Sequence, residues 1–333
     1  CLPFKILEKV LQDLKNQMLL GHRSTTGLND FTYYLTEEGR KKAVVARNAS
    51  AYVGAAPVPF NEYLKSVDKQ SIIKESPSYD DLKRAFNDLV LEPSIIETLG
   101  PALNSGRGVF LYGNPGNGKT SIAKRIYKCF REEIYIPKTL LIEGQLIKLF
   151  DPQCHEPTGH SDKNPTSYDQ RWIHIKRPAV IVGGEMELSS VEINHNPTTN
   201  LCEAPMQLKA NCGIFVVDDF GRQRIKPEDL LNRWILPLEK RIDFLTLPNG
   251  IKVRVPFDEL VIFCTNIDPK NLLDEAFLRR IPYKIKVQDP SPGQFGQIMN
   301  FLAPQYGVKC DDSTIAYILE RHFNGKRPMR CCH

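Results

Sequence analysis

Eight residues carry the sharpest chemical signal in this chain: Gly113, Asn114, Pro115, Gly116, Asn117, Gly118, Lys119 and Thr120. They fit the pattern G-x-x-x-x-G-K-[ST], a loop that binds phosphate. Gly113, Gly116 and Gly118 let the backbone curl until its N–H groups converge on an anion. Lys119 adds a positive charge for the β- and γ-phosphates, the Thr120 hydroxyl is a ligand for Mg²⁺, and Ser121 extends the contact. The expected ligands of such a loop are therefore a nucleotide and Mg²⁺.

A second constellation lies about a hundred residues downstream, where the apolar run Ile214–Val217 ends in Asp218 and Asp219. One carboxylate at such a strand end holds Mg²⁺ through water, and the next orients or deprotonates an attacking water. These roles fall to Asp218 and Asp219 respectively. Aspartate at the second position is shorter than glutamate by one carbon–carbon bond, roughly 1.5 Å, which points to slow hydrolysis or to a loop that sits closer.

Such groups must be held by rigid elements. Short apolar runs at Val109–Tyr112, Ala179–Val182, Ile214–Val217, Val261–Cys264 and Tyr283–Val287 alternate with helical patterns. Continuous apolar strands separated by helices predict an α/β fold with a parallel five-stranded core sheet, buried on both faces. Ile122, Ala123, Ile126, Tyr127 and Phe130 give the helix after the loop an inner face. Residues 77–289 are thus expected to form the nucleotide-binding domain. Residues 239–257 read as a hairpin turning at Pro248-Asn249-Gly250.

Residues 1–53 form a separate expected unit. Ile6, Leu7, Val10, Leu11, Leu14 and Met18 have helical spacing. The stretch from Phe31 to Ala43 resembles the closing strand and helix of winged-helix domains, with Thr36 as a cap. That resemblance implies possible contact with nucleic acid. Residues 54–76, rich in proline at their start, read as a linker.

The whole chain has 333 residues, 41% hydrophobic and 25% charged, with a net charge of +5. Wholesale disorder is excluded, and the charge is too small to require a polyanionic partner. No uninterrupted run of 18 apolar residues marks a membrane span, and no secretory signal opens the chain. The nine cysteines show no C-x-x-C pair and read as reduced thiols of a cytoplasmic protein. Cys154, His155 and His160 lack a fourth metal ligand at sensible spacing. The first residue is Cys1 and the last three are Cys331, Cys332 and His333, so the chain is expected to be a fragment.

Further motifs fall in order along residues 77–333. Cys264-Thr265-Asn266 closes a strand, and Asp274 to Ile281 contains the pair Arg279-Arg280. With the phosphate loop and the paired aspartates, this set resembles the AAA+ ATPases, a P-loop NTPase family of αβα sandwich architecture. The resemblance implies ATP as the nucleotide, an insertion at about 144–212 and a partial helical lid over residues 290–333. By the same resemblance, Asn266 contacts the γ-phosphate or the attacking water. It implies that Arg279 or Arg280 reaches the nucleotide of a neighbouring subunit, Arg280 being the preferred choice. Val90 falls in the segment flanking the base, and Arg327 or Arg330 matches the lid arginine that senses the phosphates. The hairpin resembles that of MoxR-like ring ATPases. The expected function is hydrolysis of ATP at the subunit interfaces of a homo-oligomeric ring, with six subunits the expected number, to remodel a macromolecule, a protein in preference to DNA. The alternative is an ATP-gated, DNA-binding adaptor with slow hydrolysis, similar to helicase-loader and transposition ATPases.

Overall fold

A computed structural model describes residues 4–24, 31–49, 52–159, 169–273 and 275–323. Its central sheet is built from β1 (Val109–Tyr112), β2 (Ala179–Val182), β3 (Ile214–Val217), β4 (Leu260–Thr265) and β5 (Tyr283–Lys286), in the order β5-β1-β4-β3-β2 and parallel throughout. Every residue of β3 and β4 is buried. This is why their sequences show no alternation of polar and apolar residues.

The two-residue period survives as a division between two cores. Leu111, Val216 and Ile262 face one way, against Leu82, Leu99 and Ile122 from the helices Tyr79–Ala85, Pro93–Ser105 and Lys119–Arg125. Phe110, Phe215, Val217 and Phe263 face the other, around Trp234 of the helix Pro227–Lys240. Burying each such side chain stabilises the fold by roughly 1.5–3 kcal/mol. After β1 the chain runs to the far edge of the sheet, returns through β3 and β4, and then places β5 on the other side of β1. The carboxyl ends of β1, β3 and β4 are thereby gathered at one edge, where open α/β sheets bind ligands.

A second body of β-structure stands beside this sheet. Strands Asn194–Asn196, Leu201–Glu203, Gln145–Lys148, Thr139–Ile142 and Val58–Pro59 form a mixed sheet, and Glu133–Pro137 pairs antiparallel with Trp172–Lys176. The hairpin Ile242–Thr246/Lys252–Pro256 is present as expected, and its Leu245 and Val255 share a core with Ile134, Leu140 and Ile147. Hairpin and insertion are thus one packed unit.

Two expectations about segments are corrected here. Residues 54–76 do not form a linker, because Val58–Pro59 pairs with Leu140 and Leu141 and the helix Phe60–Gln70 buries Tyr63 and Val67. The prolines that suggested a flexible joint begin a strand and its following helix. The stretch 144–212 is not purely an insertion either, since it contains the core strand β2.

Residues 4–49 contribute the helix Phe4–Asn16, the antiparallel pair Leu20–Ser24/Phe31–Leu35 and the helix Glu37–Ala49, with the Thr36 hydroxyl accepting from Gly39 N–H at 3.0 Å. At the other end, helices Pro292–Leu302 and Asp312–His322 stand where the lid is expected. Arg327, Arg330 and His160 lie outside the described residues. Among the described residues no helix is long and apolar enough to cross a membrane.

Candidate nucleotide site

The loop after β1 has the backbone its glycines predict. Gly113, Gly116 and Gly118 have φ values of 147°, 88° and 80°, a region other residues avoid. At Gly113 a Cβ would lie 2.2 Å from the Val287 carbonyl oxygen, so no side chain fits; at Gly118 a Cβ would meet nothing within 4 Å. The first glycine seats the loop against the sheet, and the last faces open space where a ligand can approach.

Lys119 is 7% exposed and its ammonium points back across the loop. It donates to the Gly113 and Asn114 carbonyls at 3.0 and 2.9 Å, and to Asn266 Oδ1 at 2.7 Å. Asn266 Nδ2 in turn donates to Asp219 Oδ1 at 3.2 Å. The Thr120 hydroxyl donates to both carboxylate oxygens of Asp218, at 3.1 and 2.9 Å. Strand register explains this convergence: β4 lies between β1 and β3, with Thr265 opposite Tyr112 and Phe263 opposite Val217. Asn266 and Asp218 therefore emerge beside Gly113. Asp219 follows in the left-handed region, with φ 49°, and its N–H donates to Asp218 Oδ1 at 3.1 Å.

The donors suit a hard cation. A hydroxyl and a carboxylate in contact, beside a loop of backbone N–H groups, form the oxygen-only set that Mg²⁺ prefers. Thr120 and Asp218 are the residues that would hold it.

A cavity of about 530 Å³ opens next to the loop, between Gly116–Gly118, the segment from Asp88 to Ile95, and the helix Pro292–Leu302. Val90 and Ser121 line it, together with Leu91 and Ile298. Its volume falls within the range of cofactor sites. Below it Arg125 Nε donates to Asp88 Oδ1 at 2.7 Å, and this hydrogen bond holds the Asp88 carboxyl below the usual carboxylate range.

The arginine pair divides. Arg279 is 75% exposed and, among the described residues, bridges to Glu275, one turn back in its own helix, at 3.3 Å. Arg280 is 27% exposed and its Nε is 2.7 Å from Glu239 Oε1, on the helix Pro227–Lys240. Cys154 and His155 are not a metal pair. His155 is buried, its Nδ1 accepts from Asp151 N–H at 3.0 Å, and its Nε2 donates to the Lys209 carbonyl at 2.9 Å. Among the described residues no cluster of His, Cys, Asp and Glu is arranged to hold a metal.

One participant escaped the sequence reading. Asp289, three residues beyond β5, accepts from Asn114 Nδ2 at 3.0 Å and from Asn117 Nδ2 at 2.8 Å. No pattern announces it; two amide side chains at variable loop positions were the available hint of a nearby acceptor.

No protein-family model matches the chain. A vesicle-fusing ATPase of Dictyostelium discoideum is 45% identical over 49 residues, 15% of this chain and 6% of that protein. Among solved structures, NtrX from Brucella abortus in complex with ADP is similar with a TM-score of 0.43 and 13% identity, over 73% of this chain and 49% of that one. A complex of magnesium chelatase subunits BchI and BchD is similar with a TM-score of 0.39 and 15% identity, over 74% and 73% of the two chains. The match thus spans a small fraction of the vesicle-fusing ATPase and about half of NtrX. The chain sets a glycine-rich loop between a parallel five-stranded sheet and the following helix, with polar strand ends gathered beside that loop, which is the layout of a P-loop nucleotide-binding fold.

Proposed function

We propose that this protein binds ATP with Mg²⁺ and hydrolyses it to ADP and phosphate. The observation that supports this reading above all is the pair of contacts Thr120–Asp218 and Lys119–Asn266–Asp219, which unites the loop with the ends of β3 and β4. In this reading the backbone N–H groups of residues 113–118 and the Lys119 ammonium bind the phosphates, and Val90 and Ser121 flank the base and sugar. Thr120 and Asp218 would hold Mg²⁺, which would supply neutralisation of phosphate charge. Asp219 accepts the proton of the attacking water while Asn266 fixes that water against the γ-phosphate. The water oxygen bonds to the γ-phosphorus as the bond from that phosphorus to its bridging oxygen breaks, and ADP and inorganic phosphate leave.

The site is completed by a neighbouring copy in a ring, for which six subunits is the working number. Arg279 is the better finger, because it is exposed and its bridge among the described residues lies within its own helix, whereas Arg280 is engaged by Glu239. The turnover cycle would work on a macromolecule, a protein in preference to DNA, with the hairpin and its packed β-unit as the part that meets it.

The test is ATP turnover by the full chain over a range of protein concentrations, with Lys119→Ala as the control. Turnover that rises with assembly and vanishes in Lys119→Ala is expected. No turnover at any concentration defeats the hydrolysis reading, and an unchanged rate per subunit on dilution to monomer defeats the ring.

A further inference from the structure

Asp289 faces the phosphate loop as an acceptor for two of its side chains. Both carboxylate oxygens lie 3.0 Å from Asn114 Nδ2, and Oδ1 is 2.8 Å from Asn117 Nδ2. Asn117 Nδ2 also donates to the Val287 carbonyl at 3.0 Å, the same carbonyl that closes off the space above Gly113. An ionised carboxylate only accepts, so it fixes the amide ends of both asparagines toward itself. The loop is thereby pinned at two points to the segment that follows β5.

That segment continues without slack into the first lid helix. Pro290 follows Asp289, and Ser291 caps the helix Pro292–Leu302 through a reciprocal pair: its hydroxyl accepts from Gln294 N–H at 3.3 Å, and Gln294 Oε1 accepts from Ser291 N–H at 2.9 Å. The same helix supplies Gln294, Ile298 and Phe301 to the wall of the cavity beside the loop. Placing a negative charge close to an anion-binding loop is costly unless it does something there, and here two amide dipoles offset it.

We infer that Asp289 is a positioning residue: it clamps the phosphate loop through Asn114 and Asn117 to the base of the lid, and so sets how tightly nucleotide is held. The inference rests on the proposed nucleotide site and adds a residue to it. Loop curvature and lid angle are coupled through one carboxylate, so losing it loosens the loop without touching Lys119, Thr120 or Asp218.

The experiment is titration of the full chain with a fluorescent ADP analogue in Mg²⁺. Four proteins are compared: wild type, Asp289→Asn, the double variant Asn114→Ala/Asn117→Ala, and the triple variant. Asp289→Asn keeps the shape but has one acceptor oxygen and no charge, so binding about tenfold weaker is expected, the scale of one charge-assisted hydrogen bond. The double variant should lose a similar factor from the other side of the clamp. The triple variant should bind no worse than the weaker of these two, because all three substitutions remove one connection. Losses that multiply in the triple variant, or Asp289→Asn binding like wild type, overturn the inference. The melting temperature of the nucleotide-free proteins is read in parallel, and a fall matching the loss of affinity overturns it too, since that would mark general support of the fold. Wild-type protein that binds no nucleotide defeats the underlying site reading instead, and is told apart by that result alone.

Discussion

Thr120 and Asp218 are joined by a bifurcated hydrogen bond, the Thr120 hydroxyl reaching both carboxylate oxygens at 2.9 and 3.1 Å. The bond brings together a helix start and a strand end on opposite sides of β4. Its chemistry suits a shared cation, and that yields the first prediction. Asp218→Ala should still bind nucleotide through the loop, but its affinity should no longer rise when Mg²⁺ is added. Turnover should fall by at least about two orders of magnitude, the scale of a lost transition-state charge stabiliser. Titrating binding with and without Mg²⁺ checks this; retained Mg²⁺ stimulation in the variant would move the metal elsewhere.

Asn266 stands between a cation and an anion, accepting from Lys119 and donating to Asp219. It therefore fixes the orientation of the proposed base. Asp219→Asn should retain ATP affinity and lose turnover by roughly 10²–10⁴, the usual contribution of a positioned base. Single-turnover kinetics with prebound ATP separate the two effects. A variant that hydrolyses at the wild-type rate would remove Asp219 from the reaction.

Much of this arrangement could be read from residue types alone. The loop announces itself because only glycine tolerates its backbone, and β3 and β4 because sheets buried on both faces leave unbroken apolar runs. Val90 and Ser121 do line a cavity at the loop. What could not be read is tertiary. The local sequence favours Arg280, but its bridge to Glu239, some forty residues away, is visible only in the fold. Nothing in Pro57 and Pro59 says that Val58–Pro59 pairs with the distant strand Thr139–Ile142. Asp289 likewise resembles any loop aspartate until the fold sets it against Asn114 and Asn117.

The arginine pair gives a prediction with opposite outcomes for adjacent residues. Arg279→Ala should reduce turnover by roughly 10³–10⁵, the scale for an arginine supplied to phosphoryl transfer, with nucleotide affinity unchanged. Mixing it with Asp219→Asn should restore part of the activity, since each chain lends the group the other lacks. Arg280→Ala should chiefly lose its partly exposed bridge to Glu239, worth about 1 kcal/mol or less after solvent screening, and keep most of its turnover. The reverse pattern would return the finger to Arg280.

Glu259, immediately before β4, gives a prediction about pH and stability. Its side chain is 0% exposed and, among the described residues, neither carboxylate oxygen has a hydrogen-bond partner. Burial raises its pKa well above the usual value; Asp258 and Asp243 push the same way, and Arg241 opposes them. Arg241 Nη1 donates to the backbone carbonyl of Glu259 at 2.8 Å. In the unfolded chain the group ionises near pH 4.5. Between that value and the raised folded one, the folded state binds more protons than the unfolded, so stability falls as pH rises, by about 1.4 kcal/mol per pH unit for one proton. Below pH 4.5 the contribution is fully present. Glu259→Gln removes the titration and keeps the shape, and the cost of a buried amide is the same at every pH. The stability of the variant relative to wild type should therefore increase as the pH rises above the ordinary carboxyl value. Chemical denaturation at several pH values measures that difference, and a constant gap across the range would mean that Glu259 ionises as readily folded as unfolded.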